Sequence, residues 1–242
     1  MKIEVWSDFA CPFCYIGKRR LEGALEQFAH GDQVEVEFRS FELDPNAKRD
    51  VDYNVHEMLA SKYGMTVEQA KANNVSLTEQ ARTLGLDYHM DKMILTNTFD
   101  AHRLTHFAAG YGKREEMAER LFKAYFTDAK HLGDLDTLAD LAAEIGLDRN
   151  EALKALEGAD FTQEVRQNEE EAQQIGVRGV PFFVIDRKYA ISGAQQNEVF
   201  LQAIEQAWNE KQPPLTVIGG EEDEASDSAC ADGVCAPKPA KE

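Results

Sequence analysis

Residues 5–28 read VWSDFACPFCYIGKRRLEGALEQF: an apolar run, two cysteines two residues apart, then a helix-like run. Upstream, Met1 to Asp8 alternates apolar and polar residues around Ile3 and Val5, which predicts a short strand. Downstream, Ile16, Leu21, Leu25 and Phe28 recur at helical spacing from Pro12 onward, and Gly31 is the expected stop. QVEVEFRSFEL (33–43) then alternates Val34, Val36 and Phe38 with charged neighbours, a second strand ended by Asp44-Pro45. Strand, helix, strand in one sheet is a parallel crossover unit.

From about Val55 to Gln174 the windows are helix-like, rich in Ala, Leu, Glu, Lys and Met and punctuated by Gly64, Gly85, Gly110, Gly133 and Gly146. Asp134 or Asp136 caps the repeat of Leu138, Leu141 and Ile145, and the segment DRNEALKALEG starts another helix the same way. Strand signals resume at Phe182–Ile185 and Tyr189–Ile191, a hairpin around Asp186-Arg187-Lys188, and a last amphipathic helix over about 196–211 turns Val199, Phe200, Ile204 and Trp208 to one face. The expected architecture is an α/β chain. A small mixed sheet is built from 1–50 and 175–212, with a helical insertion over 51–174. An acidic, Ala-rich and Pro-punctuated tail over 213–242 lacks the large apolar residues that a core needs.

At 242 residues and 43% hydrophobic composition the chain can bury a substantial core, as one large domain or one domain with an insertion. Its 26 Lys+Arg against 44 Asp+Glu give −18, a charge that repels phosphate backbones and anionic headgroups and so argues against nucleic acid and membrane surfaces as partners. No window is apolar for the length of a membrane span, and the first residues lack the basic and apolar regions of a secretory signal, so a cytoplasmic setting is expected. In a reducing compartment, cysteine pairs point to transient redox or metal sites rather than permanent staples.

Two thiols at i and i+3 on the first turn of a helix lie on one face and can bridge. Cys11 would hold the helix N-terminus, where unpaired N–H groups and the positive end of the dipole favour the thiolate, the species that attacks disulfides. Pro12 suits the first turn, since its missing N–H had no partner there. Cys14, one turn in and more covered, would resolve the mixed disulfide. A lone C-x-x-C also fits half of a zinc site or a pair of buried core thiols, but the strand before it and the long helix after it favour the redox reading. In GVRGVPFFVI (176–185), Pro181 fits the start of an edge strand with either peptide isomer, and the residues alone leave that open. His102 and His106, at i and i+4, could share a metal, but no Glu completes an H-E-x-x-H arrangement, so polar lining or packing is the expectation and no metal site is assigned. His30, His56, His89 and His131 read as surface or helix-end positions, and Phe9, Phe13, Phe182 and Phe183 as either an apolar rim or core. In the tail, Cys230 and Cys235 flank ADGV, whose Asp-Gly turn brings them together. The roughly 17 residues from Pro213 to Cys230 span roughly 23 Å as flexible chain.

SDFACPFCYIGKRRLE, NTFDAHRLTHFA and GVRGVPFFVIDRKYAISGAQ, in this order, resemble the DsbA-like branch of the thioredoxin superfamily, with FrnE-type proteins and 2-hydroxychromene-2-carboxylate isomerases as kin. The resemblance spans residues 1 to about 211. It implies a thioredoxin fold, Cys11 as nucleophile, Cys14 as resolving thiol and Pro181 as a cis-proline facing them. The backbone of Val180 would then pair with an extended substrate peptide, Phe13 would stand at the site, and Asn97 and His102 would lie in its wall. It further implies a thiol–disulfide oxidoreductase with disulfide isomerase capability, acting on protein thiols and disulfides without a cofactor, with Cys230 and Cys235 as a second redox pair. Phe13 stands where DsbA itself carries His, which implies a less oxidising centre. The isomerase relatives commonly carry Ser at the position of Cys11 and use glutathione. Rival readings are a zinc or redox-sensing module gathering all four cysteines, and a glutathione-dependent isomerase of small aromatic compounds.

Overall fold

The computed structural model describes residues 1–211 and, in the tail, the strand pairs 230–231 and 234–235. β1 (Lys2–Ser7) leads into α1 (Pro12–Gln27), which begins at an extended Cys11 N-cap followed by Pro12. α1 ends sooner than its sequence suggests. Phe28 is the C-cap in extended geometry, its N–H capping the carbonyls of Ala24 and Leu25, and Gly31 opens a 3₁₀ turn instead of stopping the helix. The chain folds back so tightly there that a Cβ on Gly31 would lie 2.3 Å from the Leu25 carbonyl oxygen.

β2 (Glu35–Ser40) pairs parallel to β1 from Lys2↔Glu35 to Ser7↔Ser40. β3 (Phe182–Ile185) pairs antiparallel to β1, and β4 (Tyr189–Ser192) antiparallel to β3, giving the order β2-β1-β3-β4. Asp186 and Arg187, at φ 47° and 58°, make the primed turn that matches the twist of a hairpin. The Asp186 carboxylate accepts from the Lys2 N–H at 2.8 Å and ties the turn to β1.

Strand alternation gives the sheet two apolar faces. Ile3, Val5, Phe183 and Ile185 pack with Ile16 and Leu21 of α1 and with Phe200 and Ile204 of α9 (Asn197–Asn209). Val199, expected on that face, is exposed, and the buried stripe is Phe200, Ile204 and Ala207, one step further round the helix. The other face, with Trp6 and Val184, is covered by Ala172 of α8 (Thr162–Gln174), and the Trp6 indole donates to the Asn168 carbonyl at 2.9 Å. The last helix of the expected insertion thus closes the second face of the sheet.

The remaining helices are α2 (Val55–Tyr63), α3 (Val67–Arg82), α4 (Phe99–Ala109), α5 (Arg114–Phe126), α6 (Leu135–Glu144) and α7 (Arg149–Glu157). Asn54 with Glu57 and Thr66 with Gln69 form capping boxes, and Asp134 and Asp148 cap α6 and α7 as their sequences predict. Stacked rings of Tyr15, Phe122, Phe126 and Tyr88, with centroids 4.7–5.0 Å apart for Tyr15–Phe122 and Tyr88–Phe126, run the core from α1 into the helical segment. Residues 1–211 form one compact unit. The second unit contains a short antiparallel hairpin, β5 (Cys230–Ala231) and β6 (Val234–Cys235). Among the described residues no helix is long and apolar enough to cross a membrane.

Candidate active site

β1 ends at Ser7, and three residues carry the chain to Cys11 at the N-cap of α1. Asp8 shapes that turn. Its carbonyl accepts from the Cys11 N–H at 3.0 Å, and its carboxylate accepts from the N–H groups of Ala10 (3.1 Å) and Leu43 (2.7 Å) and from the Thr98 hydroxyl (2.8 Å). Burial opposes ionisation of this carboxylate, but His102 and the Leu43 and Ala10 amides outweigh it and hold Asp8 below the usual carboxylate range. Sequence reasoning passed over Asp8. The visible signal was an Asx residue at the strand end, three positions ahead of the first cysteine.

The Val180–Pro181 bond is cis, and the Cys11 thiol donates to the Val180 carbonyl oxygen at 3.6 Å. Cys11, Val180 and Pro181 therefore meet at one point although 169 residues separate the first two. Gly17 permits that meeting. A Cβ there would lie 3.0 Å from Phe183 Cζ and 3.1 Å from Pro181 Cγ, so a larger residue would push α1 off the proline.

Cys14 lies one turn in, its N–H donating to the Cys11 carbonyl at 3.0 Å, and both thiols are free. Burial, followed by the neighbouring Cys11 sulfur, pushes the Cys14 thiol well up, so it stays protonated at neutral pH. The Tyr88 hydroxyl, reaching across from the helical segment, donates to the Pro12 carbonyl at 2.8 Å and pins the first turn of α1.

The other site expectations divide. Phe13 is 46% exposed beside Cys11 and forms the rim alone, whereas Phe9 and Phe183 are core and Phe182 packs partly buried in the cluster around Trp6. Asn97 accepts from the Phe99 N–H at 2.8 Å and donates to Glu42 at 3.3 Å, at the start of α4. His102 is buried against the Phe9 ring, 4.8 Å between centroids, with Nε2 3.6 Å from Asp8, just beyond hydrogen-bond distance. Asn97 and His102 stand behind Asp8 and Glu42, outside the lining of the cleft beside Cys11. His106 faces Ser40 instead, Nε2 to Oγ at 3.1 Å, and burial pushes its imidazole down to about 4. Among the described residues, no three ligating side chains gather as a metal site. His56, expected at the surface or at a helix end, lies in the first turn of α2 and is buried, its Nδ1 3.0 Å from Asn74 and its Nε2 2.6 Å from Asp91, because α2 packs it against α3.

A cleft of about 1080 Å³ opens on Cys11, Pro12 and Phe13 and runs between the loop after Leu43 and the helices α2 and α3. Its wall is mostly apolar and rich in thioether, with Met58, Met65, Met90 and Met93. In the second unit, strand register sets Cys230 opposite Cys235. The side chains of this pair lie outside the described residues.

The sequence matches the DSBA-like thioredoxin domain family over residues 2–205. The chain belongs to that family. This DsbA-like protein is 34% identical over 204 residues to the uncharacterized protein YwbO of Bacillus subtilis (strain 168), covering 84% of the chain and 94% of the relative. A crystal structure of a probable DsbA oxidoreductase, SCO1869 from Streptomyces coelicolor, is 44% identical with a TM-score of 0.84 over 99% of this chain and 100% of that one. A 2-hydroxychromene-2-carboxylate isomerase shares the fold, with a TM-score of 0.66 at 13% identity over 87% of this chain and 98% of its own. The DsbA-like chain thus carries the α/β thioredoxin fold that its motifs resemble.

Proposed function

We propose that the protein is a cytoplasmic thiol–disulfide oxidoreductase with disulfide isomerase capability, acting on protein thiols and disulfides through Cys11 and Cys14 and needing no bound cofactor. The observation that carries this reading is a single juxtaposition: Cys11 caps a helix with its sulfur 3.6 Å from the carbonyl ahead of cis-Pro181, and a buried second thiol stands one turn behind.

Cys11 thiolate attacks one sulfur of a substrate disulfide. The Cys11–substrate bond forms, the substrate S–S bond breaks, and the second substrate sulfur leaves as a thiolate. Val180 offers its backbone to an extended substrate segment, and Phe13 at the rim supplies apolar contact. Cys14 then gives up its proton and attacks Cys11 Sγ, so the substrate gains two electrons and the enzyme is left as the Cys11–Cys14 disulfide. Isomerisation is the same first step followed by attack of another substrate thiol on the mixed disulfide, with no net electron transfer.

In the tail, cross-strand partners stand about 4.5–5.5 Å apart at Cα, inside the range a disulfide spans, which supports Cys230 and Cys235 as a second redox pair.

Insulin reduction and recovery of activity from scrambled ribonuclease test the main reading. Both activities are expected in the wild type, and both should vanish in Cys11→Ala. A second reading, glutathione-dependent isomerisation of small aromatic compounds, draws on the cleft, which is of a size that holds small molecules. It requires activity to survive Cys14→Ala, whereas net disulfide reduction by the enzyme requires Cys14.

A further inference from the structure

The resolving step needs a thiolate at Cys14, the sulfur whose surroundings least favour one. Cys14 is 1% exposed, and water reaches it poorly. Alternation along β1 puts Ser7 on the face with Ile3 and Val5, the face that α1 covers, so the last side chain of the strand lies under the first turn of the helix. Ser7 is 3% exposed and its hydroxyl oxygen has no hydrogen-bond partner. Its neighbour in the parallel register, Ser40, is already engaged with His106, whereas the Ser7 hydroxyl is left free to turn toward Cys14. A buried hydroxyl without a partner is destabilising, which calls for an explanation.

We propose that Ser7 is a positioning residue for resolution of the mixed disulfide, its hydroxyl donating to the Cys14 sulfur as that thiol gives up its proton. A hydroxyl can rotate toward a charge that exists only during the step, so its partner is transient. Contacts from the Ser7 hydroxyl and the Asp8 N–H both favour the ionised form of Cys14, against burial and Cys11. Asp8, His102 behind it and Tyr88 are the other ionisable side chains named around this point, and burial keeps the Tyr88 phenol neutral. The inference rests on the oxidoreductase reading, since without a mixed disulfide there is nothing to resolve.

An aromatic nitrobenzoate disulfide separates the two steps, because each releases one coloured thiolate. In the first, Cys11 thiolate forms a bond to one reagent sulfur and expels the other half. In the second, Cys14 thiolate, its proton passed to water, bonds to Cys11 Sγ and expels the remaining half. The dithiol loses two electrons and the reagent gains two. Stopped-flow absorbance on the full-length reduced protein should show two phases. In Ser7→Ala the second phase should slow about tenfold to a hundredfold, the loss of a hydrogen bond to a charged group, and the first should stay within about twofold. Ser7→Thr, which keeps the hydroxyl, should restore the second phase. An unchanged second phase in a folded Ser7→Ala, equal slowing of both phases, or failure of Ser7→Thr to rescue each overturns the inference. A wild type that releases neither half overturns the oxidoreductase reading and this inference with it, whereas a biphasic wild type with an unaltered Ser7→Ala overturns the inference alone.

Discussion

The mouth of the site and its floor are built from opposite materials. At the mouth, Cys11 caps a helix, Phe13 stands half in solvent, and an apolar cleft leads away. At the floor, a turn inward, Cys14, Ser7, Asp8 and His102 are sealed from water. The difference teaches a division of labour. Both sulfurs are buried, but Cys11 borders the cleft at a helix N-terminus, which suits first attack, whereas Cys14 lies off the cleft and protonated, placed for the second. On the proposed mechanism, the mouth selects what enters and the floor sets the order of events.

The contrast breaks most decisively at the mouth. Cys11→Ala removes the sulfur that the proposed mechanism uses for first attack, and disulfide turnover should fall by about a thousandfold in an insulin reduction assay. Floor variants should change rates in part and stability more.

The next largest effect concerns pH. His106 titrates at about 4 in the fold against an ordinary value near 6.5, so the unfolded chain binds the extra proton first as pH falls. The stability that this neutral imidazole retains is complete above about pH 6.5 and is lost progressively down to about pH 4, by about 3 kcal/mol. Asp8 has the opposite protonation chemistry and the same sign. Its carboxyl is lowered in the fold, so its contribution is present above the ordinary carboxylate range and is lost as pH falls below it. Denaturant melts should therefore weaken in two stages on acidification, and His106→Gln should flatten the upper stage while leaving the lower one.

Gly17→Ala sharpens the contact between mouth and scaffold. A methyl group 3.0–3.1 Å from Phe183 and Pro181 overpacks that contact, which should cost about 1–3 kcal/mol in chemical denaturation and move α1 away from Pro181. The smallest effect is expected from Tyr88→Phe. It loses one hydrogen bond to the Pro12 carbonyl while keeping the ring stack, about 1 kcal/mol of stability.

The mouth was legible in the sequence because its signals are local: a strand, a cysteine, a helix-compatible Pro12 and another cysteine in ten or so residues, with the Asp134 and Asp148 caps read the same way. The cis geometry at Pro181 was available only through family resemblance, since the residues alone fit either isomer. The floor was not legible. Asp8 shapes a turn only because Leu43 and Thr98 arrive from other elements, and the burial of His56 at its helix end depends on Asn74, 18 residues away on α3. Helix α8 carries little apolar sequence, so that its one buried face fits the second side of the sheet shows only when Trp6 and Ala172 are packed together. Val199, expected on the buried face of α9, lies a single step of the helix away from it.

The most direct test of first attack at Cys11 and resolution at Cys14 is intact-mass analysis, under nonreducing conditions, of Cys14→Ala and Cys11→Ala after exposure to a peptide disulfide. The account predicts a stable adduct on Cys11 in Cys14→Ala, and none on Cys14 in Cys11→Ala. An adduct on Cys14, or no adduct on Cys11 when its partner is absent, would contradict it.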